Sequence, residues 1–155
     1  MLFRSRSAHV IHVIDRSDSV PDALLRAAEV GVRATTKRAD TPTPGREPAR
    51  VDVVLVDRDA ERMASVAGTV TRTDGGGDTH LAAGLNRALG LVDGQHVAHV
   101  VVWSDGMETR GDALDLTPAL RMAGVRVDVP RLPPMPTMPE FLVDRLQVQI
   151  GRAHV

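Results

Sequence analysis

The chain has 155 residues, enough for one domain with a buried core and too few for two of ordinary size. A net charge of −1 and an aromatic content of 2% remove the basic field and the stacking platforms that hold nucleic acid, which is therefore not an expected partner. Cysteine is absent, which excludes disulfides, thiolate metal sites and cysteine nucleophiles and leaves the compartment open.

No apolar run approaches the roughly 20 residues of a bilayer span, and the N-terminal segment has no signal-peptide pattern. No direct membrane insertion is expected. The chain reads as a soluble segment, cytoplasmic by default and extracytoplasmic where a longer parent protein is anchored.

After a polar lead-in at 1–7, residues 8–14 form an apolar, β-branched run of the kind buried on both faces, which predicts a central strand. Pro21 in a first-turn position, Ser19 or Asp22 available as a cap, and Leu24, Leu25, Ala28 and Val32 at helical spacing predict a helix over 21–35. Residues 37–50, with three prolines and a glycine, read as a surface loop. Residues 51–56 predict a second strand, and 62–67 a short third one returning through Asp57-Arg58-Asp59 as an antiparallel edge. The glycine-rich stretch 69–79 reads as a loop. It leads to a helix over 80–91 that Asp78 or Thr79 can cap, followed by a strand over 97–103. A helix over 112–123, with Pro118 awkwardly inside it, and a strand over 125–129 complete the pattern.

Strands alternating with helices predict an α/β fold, a doubly wound and mostly parallel sheet with helices on both faces and one antiparallel edge strand. The domain is expected to occupy residues 1–130. Residues 131–155 read as a stiff proline-rich linker and a strand-like tail at 141–150, which either closes this sheet or opens a following domain.

Two apolar strands stop at an aspartate, one at Asp15 and one in Ser-Asp-Gly at 104–106. Ser17 and Ser19 follow Asp15 at alternate positions, so a carboxylate and two hydroxyls make a half-shell of hard oxygen donors suited to Mg²⁺. Open α/β sheets collect ligands at the carboxyl ends of strands where the strand order reverses. If the first and fourth strands are the neighbours there, Asp15, Ser17, Ser19, Asp105 and the loop bearing Thr79 converge. Taken singly, Asp15 with its serines is a helix cap or Asx turn, Thr79 an N-cap and Asp105-Gly106 a turn.

Together, DRSDS at 15–19, Thr79 ahead of LAAGL and SDG at 104–106 resemble the metal-ion-dependent adhesion site (MIDAS) of the von Willebrand factor A (VWA) family, over residues 8 to about 130. The resemblance implies that Asp15, Ser17 and Ser19 provide the first part of a Mg²⁺ or Mn²⁺ shell. Thr79 and Asp105 would bind directly or through water, and a glutamate or aspartate of a partner protein would complete the octahedron. It implies a binding module and no enzyme. Asp18 stands where the family usually has glycine, which would disfavour the turn and add negative potential beside the ion. The ending, Val-Asp-Val before a proline-rich strip, is similar to VWA segments inside larger bacterial multidomain proteins, so other domains of a longer parent are possible partners.

Two rival readings stand beside this one. A Mg²⁺-dependent phosphohydrolase also begins from an aspartate ending the first strand, but it needs a second aspartate where this chain has Ser17 and a lysine near the phosphate; the one lysine is Lys37. A metal-free scaffold, its site altered by Asp18, is the other. His9 and His12, like His96 and His99, are three apart on strands, so each pair faces opposite sides and cannot chelate one ion. Trp103 reads as core, and Glu108 and Asp112 as a helix-start charge cluster.

Overall fold

The computed structural model describes residues 6–41, 44–45, 47–66, 68–73 and 77–131. The expected linker and tail, apart from Arg131, lie outside the described residues, as do glycines 75 and 76. Strand β1 (Ala8–Asp15) is followed by α1 (Asp22–Ala39), β2 (Arg50–Val56), β3 (Ala60–Arg62), α2 (Leu81–Leu91), β4 (Val97–Trp103), a 3-10 helix (Ala113–Leu116), α3 (Thr117–Met122) and β5 (Arg126–Asp128).

The five strands are ordered β3-β2-β1-β4-β5. β1 pairs in parallel with β2 and β4, β4 with β5 in parallel, and β3 antiparallel with β2. The expected α/β sheet with one antiparallel edge is therefore the observed one. Strand order reverses between β1 and β4. Register sets Asp15 opposite Val56 and Ile14 opposite Trp103, so the three central strands end level at one rim.

Alternation along the strands divides the core. Ile11 and Val13 of β1, with Val54, Val56, Val100 and Val102, pack against Leu85 and Ala88 of α2 and Leu120 of α3. Ile14, Val53 and Leu55 face the other way and pack against Leu24, Leu25, Ala28 and Val32 of α1. An α2 of 11 residues is too short to persist alone in water, so its seat on the sheet holds it in place. Gly84 sets how close that seat is: a Cβ there would lie 2.3 Å from Val56 Cγ2 and 2.9 Å from Val13 Cγ1. The first turn of α2 thus sits over the residues just before the rim.

Several boundaries differ from expectation. Helix α1 continues to Ala39 because Val32 and Ala39 stay buried and the hydroxyls of Thr35 and Thr36 bond back to the carbonyls of Gly31 and Val32. The return strand β3 starts at Ala60, since the Asp57 carboxylate accepts the Asp59 N–H at 3.1 Å and the Asp57 N–H donates to the Asp59 carbonyl at 3.0 Å, closing the turn at once. Met63 and Val66, which suggested a later strand, instead pack on the α1-side core. Pro118 is accommodated by a break: the segment opens as a 3-10 helix, α3 begins at Thr117, and proline falls in its first turn. His96 precedes β4, and its ring lies edge-on to that of His9, centroids 6.0 Å apart. Among the described residues no helix is long and apolar enough to cross a membrane.

His12 and Trp103 face α1. Indole N–H groups only donate, so the 3.0 Å contact from Trp103 Nε1 makes His12 Nδ1 an acceptor. Nε2–H then donates to Thr35 Oγ1 at 3.1 Å, and that hydroxyl donates to the Gly31 carbonyl at 2.7 Å. This chain is complete only with neutral imidazole. Burial, reinforced by the charge of His99, pushes the His12 pKa down to about 4.

Two predictions follow from this packing. Gly84→Ala should cost about 1–3 kcal/mol by overpacking, whereas exposed Gly90→Ala, which meets nothing within 4 Å, should gain about 0.5–1 kcal/mol; urea unfolding of both variants checks the opposite signs. For His12 the unfolded chain binds a proton that the folded one refuses, so its contribution is full above the unfolded value near 6.5 and is lost as pH falls toward about 4. Between about pH 7.5 and pH 5 wild type should lose about 2 kcal/mol more than His12→Gln, with the single tryptophan as the fluorescent probe.

Candidate metal centre

Asp15 is the last residue of β1 and is 0% exposed. Its Oδ1 accepts the Ser17 N–H at 3.0 Å and the Ser17 hydroxyl at 2.7 Å. Its Oδ2 accepts the Ser104 hydroxyl at 2.7 Å. Ser17 Oγ lies 3.2 Å from Ser19 Oγ. Asp15, Ser17 and Ser19 are thus brought together as the spacing suggests, and Ser104, one residue before Asp105, joins them.

Among the described residues every donor to Asp15 is neutral. Two other buried aspartates show the contrast. Asp52 receives Arg50 Nε at 2.9 Å, Arg62 Nε at 2.8 Å and His9 Nε2 at 2.8 Å. Burial pushes its pKa up, but the His9 and Arg62 hydrogen bonds and the arginine charges outweigh that and hold it below the usual carboxylate range. At Asp57 burial is likewise outweighed, by hydrogen bonds from Thr73 and the Asp59 backbone and by Arg16, whose Nε donates at 2.9 Å. Among the described residues Asp15 has no such cation: the adjacent Arg16 turns away to Asp57 and Glu61.

Thr79 is 1% exposed and held by its backbone. Its N–H donates to Thr109 Oγ1 at 2.8 Å, and its carbonyl accepts the N–H groups of Thr109 and Arg110, each at 3.0 Å. The next residue, His80, donates its N–H to the Asp57 carbonyl at 2.8 Å. Thr79 is therefore pinned between the loops that follow β2 and β4. Asp105 is exposed, and its Oδ1 accepts the Met107 N–H at 3.0 Å. Among the described residues no hydrogen bond joins the Thr79 or Asp105 side chain to the Asp15 cluster. No group of three or more His, Asp or Glu side chains among the described residues is gathered as for a metal ion. Any cation here would rely on hydroxyls as well as carboxylates.

That donor chemistry fits a hard divalent ion. A hydroxyl that gives its proton to a carboxylate keeps its lone pairs for a cation, and the cation would supply the charge that Asp15 lacks. Asp18 does not strain the loop, because among the described residues no residue other than glycine has positive φ. Its side chain is exposed.

Neither Ser19 nor Asp22 caps α1, and neither Asp78 nor Thr79 caps α2; their N-cap positions are Pro21 and His80, without side-chain bonds. Glu108 serves instead from a distance, accepting the Ala82 N–H on Oε1 and the Ala113 N–H on Oε2, both at 2.8 Å. Asp112 caps the 3-10 helix through the Leu114 N–H, so these two acids do act at helix starts. Two residues at the rim escaped the sequence reading, Ser104 and Arg72. Ser104 was accessible from a level β1–β4 register, whereas Arg72 sits in an unpatterned loop with no local signal.

A cavity of about 570 Å³ opens at the opposite edge, lined by Ser7, Ala8 and Val97 at the amino ends of strands and by Arg38–Thr41 at the end of α1.

No family model matches the chain, and no curated protein matches it. The fold is similar to that of solved structures of proximal thread matrix protein 1 from the mussel byssus, which are VWA-like. Three of them align at 16, 15 and 17% identity with TM-scores of 0.61, 0.62 and 0.62, each covering 79% of this chain. The second is described as having a zinc-occupied MIDAS motif. The alignments cover 37, 37 and 36% of those chains, so this chain spans little more than a third of their length. At such identity the likeness concerns the fold alone.

Proposed function

We propose that the chain is a divalent-cation-dependent protein-binding module. Asp15, Ser17 and Ser19, with Thr79 and Asp105, hold the ion, and a partner's glutamate or aspartate takes its remaining position. The observation that carries this reading is a fully buried Asp15 carboxylate at the reversal of strand order, bonded among the described residues only by neutral donors. Two carboxylates balance the two charges of the ion, and three neutral hydroxyls leave it able to attract one more acid. All-oxygen donors suit Mg²⁺ or Mn²⁺. The zinc described for a structural relative makes Zn²⁺ the third ion to try. The module is taken as residues 1–130.

No catalytic step is assigned. Ser17 occupies the position where a phosphohydrolase would need its second aspartate. Lys37 lies in the last turn of α1, next to the residues that line the cavity at the amino edge, far along the helix from Asp15.

Thermal unfolding of wild type and Asp15→Asn, in chelator and then in Mg²⁺, Mn²⁺ or Zn²⁺, tests the reading. Wild type should gain about 2.7 kcal/mol at a hundredfold excess of ion over its dissociation constant, and the variant nothing. In chelator the variant should be at least as stable as wild type, because it removes a buried charge without a counter-ion. A wild-type midpoint that none of the three ions moves would sink the proposal. Phosphate-ester hydrolysis that disappears in Asp15→Asn would favour the enzyme instead.

A further inference from the structure

The guanidinium of Arg72 reaches across to the loop that carries Ser17 and Ser19, 50 residues or more away in sequence. Its Nη1 donates to the carbonyls of Ser17 at 3.0 Å and Asp18 at 3.2 Å, and its Nη2 donates to the Val20 carbonyl. Nη2 and Nε also donate to Asp22 Oδ1, at 2.7 and 3.1 Å. One side chain therefore gathers three carbonyls and a carboxylate of residues 17–22. Three carbonyl dipoles turned toward one point repel one another unless a cation with several fixed donors sits among them. Arginine, with its planar fork, meets that need where lysine's single ammonium does not.

Resting on the cation-binding reading, we infer that Arg72 is the positioning residue that holds the Asp15–Ser19 loop with its hydroxyls turned to the ion. It acts on the backbone of Ser17 and Asp18. Its own segment is anchored independently: Val70 N–H donates to Glu29 Oε1 at 2.9 Å, and Thr73 Oγ1 donates to Asp57 Oδ2 at 2.7 Å. The loop is thereby fixed to α1 and to the end of β2 through a single strap.

The sign of one measurement separates positioning from plain charge. A positive group near a divalent ion repels it, so if Arg72 contributed only its charge, removing it would tighten binding. If it positions the loop, removal weakens binding, by about ten- to a hundredfold as for other groups that orient metal ligands. Mn²⁺ alone is titrated calorimetrically into wild type, Arg72→Gln, Arg72→Lys and Thr73→Val, with thermal midpoints recorded in chelator. Expected are weaker binding in Arg72→Gln, partial recovery in Arg72→Lys, and wild-type affinity in Thr73→Val despite a lowered midpoint. Equal or tighter Mn²⁺ binding by Arg72→Gln overturns this inference alone. So does an affinity loss in Thr73→Val matching that of Arg72→Gln, which would reduce Arg72 to general support of the strap. A wild type that binds no cation overturns this inference and the reading beneath it.

Discussion

A carboxylate sealed from water at the end of the central strand is the constraint from which the rim of this sheet is built. Stripping an ion of water costs several kcal/mol even after relaxation, a large part of the roughly 5–15 kcal/mol by which a domain is stable. Asp52 and Asp57 meet that cost with arginines. Asp15 meets it with three hydrogen bonds from neutral donors, each worth about 1.5–3 kcal/mol to a charged acceptor. The sum is enough to let the loop fold without an ion. Among the described residues it leaves that carboxylate without a cationic partner, which is the condition for taking one up.

Much of the fold was legible because its signals are local and periodic. Strand 97–103 is read to the residue, and α2 begins one position later than expected. The continuous apolar run at residues 10–14 marked β1 as buried on both faces, and it is the middle strand. Errors fell at element ends, where short-range hydrogen bonds prolong a helix or close a turn without any apolar period to mark them. Helix α1 runs through residues that read as loop, and the return strand starts earlier because the Asp57 turn closes more tightly than its apolar neighbours suggest.

The site was legible in part for the same reason. Alternation of Asp15, Ser17 and Ser19 is a local pattern, and the structure gathers those three. Ser104 depends on register between strands far apart in sequence, and Arg72 on a loop without pattern, so neither announces itself. The histidines teach the same lesson. Spacing separates His9 from His12 to opposite faces, one toward Asp52 and the other toward Thr35 and Trp103. It says nothing of the cross-sheet approach of His9 to His96, which only the strand order creates.

What unites the rim is that side chains suited to capping its helices are withheld from that task. Ser19 remains with Ser17, Asp22 is taken by Arg72, Asp78 pairs with Arg58 and Arg110, and Thr79 is held by its backbone. At the starts of α2 and the 3-10 helix, backbone N–H groups are met from a distance by Glu108, while Arg72 meets carbonyls of the first loop. A rim selected only for stability would use its nearest hydroxyls and carboxylates as caps, since a local cap orders fewer residues than a distant one and contributes about 1 kcal/mol. With Glu108 at the start of α2 and no side-chain cap on α1, the side chains of Ser17, Ser19 and Thr79 stay off the helix ends, where the proposed cation would need them.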